Sequence, residues 1–118
     1  MVTQHLAVSV RWEPAGAVLD LRGEINGFGQ ETLAATYAEA EKGDPEAIIL
    51  NFEEVDYINS PGIALIVGLL AKACAAKRRL LAYGLSEHYV EILIITRLSD
   101  FVVVYSDEES ALSKASVS

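Results

Sequence analysis

The chain has 118 residues, the length of one ordinary domain, and 52% of them are hydrophobic, enough for a real core. A formal net charge of -8 argues against nucleic acid as a partner, because a phosphate backbone is met by a basic footprint, and leaves proteins with basic patches or plain solubility as the use of the acidity. The longest apolar stretch, Pro61 to Ala71, is too short for a bilayer, no segment has a secretory-signal pattern, and the single cysteine, Cys74, allows no internal disulfide, so a cytoplasmic location is expected.

His5 to Trp12 alternates apolar and polar positions, the period of a strand, and Pro14 and Gly16 mark a turn after it. Ala17 to Ile25 alternates again, so the two strands are expected to form a hairpin. Gln30 to Lys42 reads as a helix with Leu33, Tyr37 and Ala40 on one side, stopped by Gly43. Ala47 to Phe52 is a compact apolar run, expected to be a strand covered on both faces, with Glu53 to Asn59 as a short connection. Ser60 to Ala76 is predicted as the second helix, Arg79 to Tyr83 as a strand closed by Gly84, and Ser86 to Arg97 as the third helix, with Val90, Leu93, Ile94 and Leu98 on one stripe. Phe101 to Tyr105 is the last predicted strand. Ser106 and Glu109 have capping-box spacing for a C-terminal helix anchored by Leu112, and Ser116 to Ser118 are expected to fray.

The order β-β-α-β-α-β-α-β-α predicts an α/β fold, a single domain over residues 1–118 with a mostly parallel sheet of about five strands and about four helices. No repeat or linker interrupts it.

The segment from Val55 to Ile63 is the informative one. Ser60 is suited to cap the second helix, Pro61 suits the first helical position, and Gly62 leaves the first turn bare for close approach by another protein. Free N–H groups and the positive end of the helix are expected near the hydroxyl, where a phosphate would find an anion site. On the residues alone three readings stay open: Ser60 as a helix cap only, as part of a small-anion site, or as a phosphorylation site.

Asn59-Ser60-Pro61-Gly62-Ile63, after Asn51-Phe52 and Tyr57-Ile58, resembles the motif of STAS domains of the bacterial anti-sigma-factor antagonist type. Gly23-Glu24-Ile25-Asn26 is similar to that family's Gly-Glu-Leu-Asp, and Leu98 to Phe101 to its segment before the last strand. The resemblance covers nearly the whole chain. It implies that Ser60 is the serine phosphorylated by a cognate anti-sigma factor kinase and that the unphosphorylated form binds this anti-sigma factor in partner switching. It also implies a PP2C-type phosphatase that reverses the modification. Asn59 and Asn26 stand where the family has acidic residues, which removes two charges beside Ser60 and keeps hydrogen-bonding ability.

On the second helix, Ile63, Ile66, Val67, Leu70 and Cys74 are expected to face the core, while Ala64, Gly68, Ala71 and Ala75 form a small-residue face. Leu65, Leu69 and Lys72 point elsewhere, either under a neighbouring loop or helix or into a partner. The expected partner interface is Asn26, Asn59, Ser60, Pro61, Gly62, Ala64, Leu65, Gly68 and Leu69. Lys77-Arg78-Arg79 is expected to complement the helix dipole. His5 and His88 are isolated, no catalytic trio or phosphate loop stands out, and the chain is expected to be a regulator, not an enzyme, with no metal and no cofactor. Two alternatives remain: a scaffold subunit of a stress-signalling assembly, with homo-oligomerisation allowed, and a small-anion or nucleotide-binding domain.

Overall fold

The computed structural model describes residues 5–115. Strands β1 (Ala7–Glu13) and β2 (Gly16–Ile25) form the expected antiparallel hairpin, with Glu13 opposite Gly16. Helix α1 (Gln30–Glu41), strand β3 (Ala47–Ile58), helix α2 (Ser60–Ala75), strand β4 (Arg79–Tyr83), helix α3 (Glu87–Ile95), strand β5 (Val103–Tyr105) and helix α4 (Glu108–Ala115) follow. The five strands lie side by side in chain order. All pairs after the hairpin are parallel, so each crossover carries a helix.

The alternation of β2 divides the core. Ala17, Leu19, Leu21 and Ile25 join Ile48, Leu50 and Phe52 under α1, α2 and α3, whereas Val18, Ile49, Leu81 and Tyr83 face the other side under α4. The central strands are buried on both faces, which explains the unbroken apolar run Ala47 to Leu50.

The largest departure from expectation is β3. Glu53 to Ile58 is not a loop: it continues as strand, with Arg22 opposite Glu54 and Ile25 opposite Ile58. Register irregularities between Asp20 and Arg22 and between Gly23 and Glu24 let β2 follow it. The exposed Glu53, Glu54, Asp56 and Tyr57 hid this strand, because only Val55 and Ile58 mark its inner face. β4 leaves at Tyr83, and a phenol takes over beyond it: the Ile58 N–H donates to Tyr89 Oη at 2.9 Å.

Smaller corrections follow from packing. α2 turns Gly62, Ile66, Leu69, Leu70 and Ala73 inward, so the inward stripe lies about one position round the helix from the one expected; Val67 and Cys74 are exposed. Leu69, at 4% exposure, belongs to the core, while Leu65 stays half-buried; both line a groove shared with Leu33 and Ala34 of α1. On α3, Leu93 is buried while Ile94 is exposed. α4 is started by Asp107, whose carboxylate accepts the Ser110 N–H at 2.8 Å, and not by Ser106. Its buried residues are Ala111 and Ala115, with Leu112 only partly covered. Residues 116–118 lie outside the described residues.

Charged groups fasten α4. Arg11 holds Asp20 through two bonds of 2.9 and 3.0 Å, and also Glu13 and Glu108. Asn51 Nδ2 donates to the same Asp20 at 2.8 Å. The Arg11 hydrogen bonds hold the Asp20 carboxyl below its ordinary value of 3.8. Arg79 donates to the Lys114 and Ala115 carbonyls at the C-terminal end of α4, and Arg78 pairs with Asp44 and Glu41. Two residues of the basic triplet, Arg78 and Arg79, therefore join elements.

Candidate functional site

The site forms where β2 and β3 end and α2 begins. The Asn59 N–H donates to the Ile25 carbonyl at 3.1 Å, pinning the start of α2 to the end of β2. Asn59 has extended backbone angles and its Oδ1 accepts the Gly62 N–H at 2.8 Å. Asn59, not Ser60, is thus the cap of α2. Ser60 is the first helical residue and Pro61 the second.

This shift of one position changes the chemistry. Ser60 has no capping duty, its side chain is exposed, and its hydroxyl enters no hydrogen bond among the described residues. Fewer free N–H groups converge here than expected. Among the N–H groups that a helix start normally leaves free, that of Asn59 is bonded to Ile25 and that of Gly62 to the Asn59 side chain, while Pro61 has none. Only the N–H of Ser60 itself remains.

Gly62 has a different role from the one expected. It is buried, and a Cβ built on it would collide with the Ile25 carbonyl oxygen. The glycine lets α2 approach β2 and offers no surface to a partner. The remaining expected interface residues divide in the same way. Pro61, Ala64 and Gly68 are exposed and Leu65 is half-buried, while Leu69 belongs to the core. Ala64, Leu65 and Gly68 border a shallow groove of about 180 Å³ between α1 and α2.

Asn26 lies across from Asn59 and is 8% exposed. Its Oδ1 accepts the Phe28 N–H at 2.9 Å, its carbonyl accepts the Gly29 N–H at 3.0 Å, and its Nδ2 donates to Glu24 at 3.2 Å. These bonds shape a tight 3-10 turn, Gly27–Gly29, before α1. Asn26, Glu24, Phe28, Asn59 and Pro61 together line an open hollow of about 710 Å³. The two asparagines therefore carry out the backbone work of the site, one capping α2 and the other shaping the turn.

The sequence reading passed over Phe28, which is 94% exposed on this rim. The available signal was an aromatic residue flanked by two glycines, outside any apolar period. Among the described residues no group of three or more His, Cys, Asp or Glu is arranged to hold a metal ion. No helix is long and apolar enough to cross a membrane.

The fold and the helix-start segment can now be set beside known proteins. The STAS domain model matches residues 8–111, and the chain belongs to the STAS family. The fold is similar to that of an anti-sigma factor antagonist from Mycobacterium paratuberculosis (15% identity, TM-score 0.79, 93% of each chain covered). It is also similar to the anti-sigma factor antagonist SpoIIAA in its unphosphorylated form (21% identity, TM-score 0.73, 95% of this chain and 100% of that one). The phosphorylated form of SpoIIAA, the Bacillus cell fate determinant, matches with 23% identity and a TM-score of 0.71 over 92% of this chain and 98% of that one. The search of curated proteins returned no match.

Proposed function

We propose that the chain is an anti-sigma-factor antagonist that binds an anti-sigma factor with serine kinase activity and is released from it by phosphorylation of Ser60. A PP2C-type phosphatase would restore binding. The observation that carries this reading is the exposed Ser60 hydroxyl, left without structural duty because Asn59 caps the helix. A hydroxyl that stabilises nothing can be modified without unfolding its surroundings. Ser60, Pro61, Ala64, Leu65 and Gly68 supply the outer part of the docking face, with Asn26, Asn59 and Gly62 holding its backbone in place. The structural neighbours named for anti-sigma factor antagonism support the same reading.

The switch in this reading is electrostatic. A phosphate adds about 1.5 to 2 negative charges in the middle of a contact surface, on a chain already at -8. With one free N–H left at the helix start, most of that charge would face the partner. The domain acts by binding, and the chemistry of phosphate transfer belongs to the kinase.

Incubation with the kinase and ATP should add one phosphate to wild type, read by intact mass, and none to Ser60→Ala. Modification of Ser60→Ala to the wild-type extent would remove Ser60 from the account.

A further inference from the structure

We propose that Phe28 is the apolar anchor of the docking face and that it inserts into an apolar socket on the anti-sigma factor kinase beside its phosphate-transfer site. This rests on the proposed antagonist function and names a contact of that same surface. Phe28 is 94% exposed and belongs to neither core cluster, so it has no packing role in the isolated domain. Asn26 accepts the N–H groups of both Phe28 and Gly29, at 2.9 and 3.0 Å. A Cβ on Gly29 would lie 2.8 Å from Leu6 Cδ2, and one on Gly27 would touch Pro61 at 3.4 Å. The turn therefore sits between Leu6, just before β1, and Pro61 at the start of α2, and its one large side chain projects from between them.

An exposed aromatic side chain has only two χ angles to order on binding and buries a large apolar area, the combination that makes interface hot spots. Position selects the partner. Phe28 and Pro61 line the same hollow, and Pro61 adjoins Ser60. Both chain neighbours of Ser60, Asn59 and Pro61, line this hollow, so a protein that brings an active site to the Ser60 hydroxyl comes up against it. Other exposed apolar residues, such as Ile95 at the far end of α3, do not border the hollow.

The test is calorimetric titration of the purified anti-sigma factor kinase with wild type, Phe28→Ala, Ile95→Ala and Ser60→Asp. The proposal expects Phe28→Ala to bind at least about tenfold more weakly, as hot-spot truncations do, and Ile95→Ala to bind like wild type. The melting temperature of Phe28→Ala should stay within about 2 °C of wild type, as for a surface change without structural contacts. Phe28→Ala binding within about twofold of wild type, while Ser60→Asp loses binding, would overturn the anchor and leave the antagonist reading standing. An equal loss in Ile95→Ala would overturn it too, since the effect would not be local to the rim. A wild-type protein that binds no anti-sigma factor kinase would overturn both.

Discussion

Asn59 and Ser60 divide between them two tasks that a single serine was expected to perform. Asn59 Oδ1 caps the helix, so the loss of the acidic residue usual in the family at this position leaves the cap intact; an amide oxygen accepts the Gly62 N–H as a carboxylate would. Asn59→Ala should lower stability by about 1 kcal/mol in urea unfolding, the ordinary value of a lost cap. Ser60→Ala should change it by less than about 0.5 kcal/mol, since the exposed hydroxyl makes no structural bond. The reverse order of effects would return the capping role to Ser60. Gly62→Ala should destabilise by about 1 to 3 kcal/mol, because its methyl group has to displace the end of β2.

At the scale of elements, α2 offers the clearest comparison of pattern with structure. Leu69→Ala should cost about 2 to 5 kcal/mol as a core truncation, and Val67→Ala less than about 1. Equal costs would contradict the observed rotation of the helix. The helix itself was legible from its caps and apolar content. Its orientation was not, because apolar residues occupy nearly every position from Ile63 to Leu70 and the period gives no preferred side. The hairpin and the β3 core were legible for the opposite reason, having clean alternation or an unbroken apolar run. The outer half of β3 was hidden by Glu53, Glu54 and Asp56, and the cap was misplaced by one residue because Asn and Ser are both good caps. Phe28 was passed over because a residue that packs on nothing leaves no periodic trace.

For the whole molecule, the charged groups that hold the fold together lie apart from Ser60. Asp20, bonded to Arg11 and Asn51, ties the hairpin to β3 and, through Arg11, to α4. Its folded pKa lies below the ordinary 3.8, so the ionised form favours the fold. That stabilisation is complete above the unfolded pKa and is lost as pH falls through the lower folded value. Urea midpoints should therefore drop below about pH 4 in wild type. Asp20→Asn should be less stable at neutral pH and show a smaller acid-side fall; an unchanged slope would contradict the role given to this carboxylate.

Ser60 belongs to none of these networks, which is why its modification should govern binding and spare the fold. The most direct test is titration of the purified anti-sigma factor kinase, with ADP in place of ATP so that Ser60 stays unmodified, by wild type and by Ser60→Asp of equal melting temperature. The account predicts that wild type binds and that Ser60→Asp binds at least about thirtyfold more weakly, the effect of about 2 kcal/mol from an unpaired charge in an interface. Equal affinity of the two proteins would contradict it.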